Sequence, residues 1–80
     1  MPTYFFHLHE EDTILRDEEG IVLVDDAAAR IVAVRVARDL LAEAVQRGRL
    51  PLTDIVVVTD DTGQTVLSLN FAAAVGDPAP

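Results

Sequence analysis

Between Asp25 and Gly48 the apolar residues recur at helical spacing, while on both sides of that stretch they alternate. That switch of period leaves few folds open to so short a chain, because each amphipathic element must bury its apolar side against another. Asp25 and Asp26 precede three alanines and suit the positive end of a helix dipole, where either carboxylate can accept from an otherwise unsatisfied N–H. Gly48 follows Gln46-Arg47 and Pro51 lies three residues further on, which marks the stop. At 100° per residue, Ala29, Ala33, Val36, Ala37, Leu40, Leu41 and Ala44 share one face, with Arg35, Arg38, Asp39, Glu43 and Gln46 opposite. An alanine-rich buried face predicts close approach to whatever it covers. Ile31 and Val32 fall on the polar side of this helix.

The flanking segments read as strands. In Thr3–His9, Tyr4, Phe6 and Leu8 alternate with Phe5, His7 and His9. Glu10-Glu11-Asp12 forms a turn, and Thr13–Arg16 and Ile21–Val24 are extended around Asp17-Glu18-Glu19-Gly20. One bulged strand and two short ones both fit that pattern, with Gly20 free to take a positive φ. After the helix, 54–59 and 64–71 form a hairpin whose three-residue loop is Asp61-Thr62-Gly63. The simplest register pairs Val57 with Leu67 and Ile55 with Leu69. It puts Ile55, Val57, Leu67, Leu69 and Phe71 on the core face and Val56, Val58 and Val66 on the other. The expected architecture is α+β: ββαββ, an antiparallel sheet of four or five strands with one helix packed on one face. Residues 1–75 form a single compact domain and 76–80 a flexible tail.

Composition narrows the function. Fourteen acids against six bases give a net charge of −8, which argues against direct binding of nucleic acid or of anionic membrane. There is no cysteine, so no disulfide framework, zinc finger or thiol nucleophile. Apolar runs are too short to span a bilayer, and the N-terminus has no basic n-region and no cleavage site of a secretory signal, so a cytoplasmic location is expected. No phosphate loop or nucleophile–base pair is spelled out, so an enzyme is not expected, and no cofactor is called for.

Three features invite a chemical reading. His7-Leu8-His9 points two imidazoles to one side of a strand, with Glu10, Glu11 and Asp12 next to them, a donor set that suits Zn²⁺. The alternative function is therefore a metal-binding protein or metal-dependent hydrolase using His7 and His9. Asp61-Thr62-Gly63 matches the tripeptide of aspartic proteases, but good turn chemistry explains it in so short a chain. The acidic clusters coincide with turns and a helix start and lack calcium-loop spacing. The stronger signal is surplus apolar surface. Phe5, Val56, Val58 and Val66 fall on the helix-free sheet face, as anchors for a protein partner.

The opening Met-Pro-Thr-Tyr-Phe-Phe-His-Leu-His, Asp17-Glu18-Glu19-Gly20, Asp25 before the alanines, Ala37-Arg38-Asp39-Leu40-Leu41-Ala42 and Gly48-Arg49-Leu50-Pro51 resemble a group of short alphaproteobacterial proteins of unknown function. The likeness runs to about Phe71. It implies a bacterial, cytoplasmic context and brings no activity with it. A looser likeness, of topology only, is to HicB-type antitoxins, which bind and block a basic RNA-cleaving toxin; the Pro-Asp-Leu-Pro-Gly type motif of that group is absent. The expectation is thus a small acidic, non-enzymatic interaction module, homodimeric or bound to a basic partner, in a regulatory or antitoxin-like role.

Overall fold

A computed structural model describes residues 1–78. The element order is β1 (Thr3–His9), β2 (Ile14–Leu15), β3 (Ile21–Val22), α1 (Asp26–Gln46), β4 (Ile55–Thr59), β5 (Thr65–Asn70) and α2 (Phe71–Val75). The sheet is antiparallel in the order β2-β1-β4-β5, with β3 also on β1. The ββαββ plan holds, with five strands and a short second helix added after the last of them.

Both helix ends follow from local sequence. Asp25 is the N-cap, its carboxylate accepting from the Ala28 N–H at 2.9 Å. At the other end Gly48, at φ +79°, donates to the Val45 carbonyl while Arg49 donates to that of Ala44. These are the two reversed bonds of a Schellman stop, and the left-handed residue between them favours glycine. Ala29, Ala33, Ala37 and Ala44 are buried, and α1 lies on the sheet over β4 and β5. Tyr4 ties the helix start to β1, its hydroxyl donating to Asp26 Oδ1 at 2.6 Å. That bond, burial and the acids around it push the Tyr4 phenol up to about 12.

A second stripe of α1 is covered too. Arg30, Val34 and Arg38 are spaced four apart and so share a side. Arg30 pairs with the Asp77 carboxylate, and Arg38 Nε donates to the Ala74 carbonyl at 3.0 Å. Val34, between them, is fully buried, and Ile31 and Val32 are half-buried instead of lying on a solvated face. α2, in the place where Ala72–Val75 can add a helical turn, packs along α1 on the Arg30–Val34–Arg38 side. The described part of the tail thus reaches Asp77 in contact with α1; residues 79 and 80 of the expected flexible segment lie outside the described residues.

The register of β4 corrects the expected faces. The three-residue loop is as expected: the Asp60 N–H donates to the Gln64 carbonyl at 2.9 Å, with Gly63 at φ +85°. One residue later the ladder slips. Thr59 pairs with Thr65, but Val58 pairs with Leu67 and Val56 with Leu69, so Val66 is an extra residue on β5. A slip of one exchanges the faces of everything beyond it. Val56 and Val58 are therefore core, 1% and 0% exposed, under α1 with Tyr4, Leu69 and Phe71. Val66 is half-buried and packs against the same core. Ile55 and Val57, expected in the core, lie on the helix-free face.

The edge beside β1 consists of two short strands. β2 pairs at Leu8 and His9 and β3 at Thr3 and Tyr4, so five residues, 16–20, stand opposite three. Asp17 fills the gap. Its Oδ2 accepts from the Phe6 N–H at 3.1 Å, where a strand carbonyl would otherwise sit. Its Oδ1 accepts from the N–H groups of Glu19 and Gly20 at 3.1 and 3.2 Å. Gly20, at φ +74°, lies so close to β1 that a Cβ there would stand 2.7 Å from Thr3 Cγ2 and 2.8 Å from Phe5 Cε2. Both backbone conformation and space require glycine.

Candidate functional site

The helix-free face carries Phe5, His7 and His9 of β1 beside Thr59, Val57 and Ile55 of β4, in cross-strand pairs. Its border is the broken edge, where Ile14, Leu15, Ile21, Val22 and Val24 are all exposed, Val24 at 65%. Of the four anchors read from sequence, only Phe5 stands on this face, half-buried and stacked on the His7 ring at a centroid separation of 6.4 Å. Val56 and Val58 are under the helix and Val66 is at the bulge, so these three are taken up by the fold.

His7 is the most constrained polar group of the face, only 9% exposed. The Asp17 N–H donates to its Nδ1 at 3.1 Å, which requires an unprotonated nitrogen there. The ring proton of the neutral imidazole then sits on Nε2 and donates to Thr59 Oγ1 at 3.0 Å. Burial pushes the His7 pKa below its usual 6.5; Arg16 and His9 act in the same direction, and Asp17 opposes them. Asp17 itself is pushed up by burial but held below 3.8 overall by the N–H groups of Phe6, Gly20 and Glu19. Both His7 nitrogens are committed to the protein, so a His7/His9 metal clamp would have to break the bond that seats the 16–20 segment. Among the described residues no group of three or more His, Asp or Glu side chains is placed to hold a metal ion.

This arrangement has a pH signature. Because folding favours neutral His7, its contribution to stability is complete above about pH 6.5 and is lost as pH falls from there toward the lower folded value. Asp17 acts in a separate window, its contribution present above 3.8 and lost below it. Thermal unfolding should therefore show a decline in Tm as pH falls below about 6.5 that a His7→Gln variant lacks. Parallel profiles for the two proteins would show that His7 does not seat the segment.

The Asp61-Thr62-Gly63 triplet does turn work. Asp60 Oδ1 accepts from the Thr62 N–H at 2.9 Å, the Thr62 hydroxyl at 2.6 Å and the Gln64 N–H at 3.1 Å, and these bonds hold the Asp60 carboxyl below its usual range. Two acids that sequence reasoning treated as ordinary turn residues or left unremarked matter more. Asp17 organises the edge, and its signal was the glycine three residues on. Asp54, the residue before β4, is 9% exposed and lines two surface clefts together with Glu10.

No helix among the described residues is long and apolar enough to cross a membrane. No curated protein and no solved structure matches the chain. The family model described as a domain of unknown function, DUF6894, matches residues 3–72, which takes in β1 through the first two residues of α2, including the Asp17–His7 linkage and the slipped hairpin, and the chain belongs to that family.

Proposed function

We propose that this protein is a small acidic, non-enzymatic interaction module of the bacterial cytoplasm that assembles with a second copy of itself. The observation that carries this reading is the apolar edge. Ile14 and Val22, paired with His9 and Thr3 of the helix-free face, are exposed on the two-residue edge strands, next to half-buried Phe5, Ile55 and Val57. Contiguous apolar surface of that kind on a small domain marks an interface. The edge also leaves strand groups unpaired, and a second copy can meet them isologously. The acidic turns form the rim, and their negative field speeds encounter with a basic protein, which fits a regulatory or antitoxin-like role for the assembled form.

Light scattering on a sizing column over a roughly hundredfold concentration range tests the assembly. The expected result is a dimer for the native chain. Val57→Asp, on the helix-free face, should give a folded monomer, at a cost to the fold of about 1 kcal/mol. A native monomer at every concentration would overturn the reading, as would a Val57→Asp protein that still dimerises.

A further inference from the structure

We propose that the outer edge of β5 docks an extended segment of a partner protein, one that alternates apolar and polar residues and ends in a basic residue. β5 is the last strand in the order β2-β1-β4-β5 and pairs with β4 alone among the described strands. Hydrogen-bonded and non-bonded pairs alternate along an antiparallel ladder. The Phe71 N–H donates to the Asp54 carbonyl at 2.9 Å, one step past the Ile55–Asn70 pair. Leu69 and Leu67 therefore bond to Val56 and Val58, while Ser68 turns its N–H and C=O outward and Asn70 its N–H. Carried across β4, the same alternation turns the Phe6 N–H away from β4, and Asp17 is bonded to it there.

The two sides of the sheet are closed differently. The outward groups of β1 are met at Leu8 by β2, at Phe6 by Asp17 and at Tyr4 by β3. Among the described residues, none bonds to the outward groups of Ser68 or to the Asn70 N–H. The chain leaving β5 is drawn inward, because the Phe71 and Ala72 N–H groups donate to the Asp54 and Leu52 carbonyls. Ser68 and Asn70 stay exposed. Open edges are ordinarily guarded by charge, proline or a bulge. Thr65–Asn70 has no charged residue and no proline, and the bulge at Val66 leaves Leu67–Asn70 regular.

These features define the occupant. Every strand pair in this sheet is antiparallel, and antiparallel addition gives both outward groups of Ser68 one partner residue. Main-chain bonds of that kind carry the affinity in strand addition, and alternate side chains carry the specificity. The residues on either side of that partner face Leu67 and Leu69 on the helix side, where Leu67 is only half-buried, so they are apolar. The partner residue itself lies beside exposed Ser68 on the helix-free side and is polar. The C-terminal end of the segment reaches the hairpin turn, where the exposed Asp61 carboxylate complements a lysine or arginine. A second copy is assigned above to the opposite side of the sheet, and the choice of a different protein for β5 rests on that reading. A further self-interface at β5 would join copies into open chains.

Titration of the full chain with the peptide acetyl-Thr-Val-Thr-Val-Thr-Lys-amide, followed by amide chemical shifts, tests this. Saturable shifts are expected along Leu67–Asn70, with slowed amide exchange at Ser68. N-methylation of the third peptide residue, whose amide faces Ser68, should weaken binding by about tenfold or more. N-methylation of the fourth, whose amide faces away, should leave it unchanged. Asp61→Asn should weaken binding of this peptide about threefold and leave unchanged that of the peptide with Gln in place of Lys. A lack of saturable shifts in β5 at millimolar peptide would overturn the proposal, as would equal effects of the two methylations. Shifts along β5 that depend on protein concentration with no peptide present would assign the edge to a second copy and overturn it as well. Light scattering reports assembly through the helix-free face separately, so a native monomer that still binds the peptide at β5 would sink only the earlier reading.

Discussion

Val58→Asp is expected to unfold the protein, whereas Val57→Asp one residue earlier leaves it folded. Val58 is fully buried between β1 and β5, paired with Phe6 and Leu67 and covered by α1. Its cross-strand partners on both sides, Phe6 and Leu67, are apolar. A carboxylate there is desolvated without a partner, and such changes cost more than about 4 kcal/mol. At roughly 0.05–0.15 kcal/mol per residue, eighty residues hold roughly 4–12 kcal/mol in all. The substitution therefore removes much or all of the stability. Circular dichroism and urea denaturation of the pair measure it directly. A folded Val58→Asp with a native midpoint would mean that β4 presents its other face to the helix. That outcome would restore the unslipped register, with Val58 on the helix-free face.

That contrast also shows where the sequence stops being legible. Helix α1, its cap at Asp25 and its stop at Gly48 are local matters, decided within a few residues, and they were readable. So was the Asp61-Thr62-Gly63 loop, because the turn needs a left-handed residue and Gly63 provides it. The face of β4 was not readable. Ile55-Val56-Val57-Val58 is apolar at every position, so it has no alternation to reveal which side is buried. Register then had to come from β5, where the extra residue Val66 looks like any other strand valine. A bulge is settled by packing between strands distant from its own sequence neighbours. The same holds for the candidate sites. His7 reads as half of a ligand pair until Asp17, ten residues away, is seen to bond its Nδ1. Glu10 and Asp54 become neighbours only when β1 and β4 pair, forty-four positions apart in the chain.

The second large effect is expected at Phe71, where strand, helix and core meet. β5 ends at Asn70, whose side chain caps α2 by accepting from the Ala73 N–H at 2.7 Å. Phe71 is thus the first residue of α2 while its own N–H still continues the ladder to Asp54. Its ring, 1% exposed, is the largest fully buried side chain of the molecule's described part. Truncation to alanine leaves a cavity where the sheet, α1 and α2 converge, and a cost of about 3–5 kcal/mol follows. At roughly 4–8 °C per kcal/mol for a domain of this size, Tm should fall on the order of tens of degrees. Phe71→Leu, which refills much of the space, should lose far less. Calorimetry on both variants decides the matter. Near-equal losses would show that the backbone bond to Asp54 and the Asn70 cap hold this junction, with the ring contributing little. A large gap between them would show that the packing of Phe71 fixes α2 against α1.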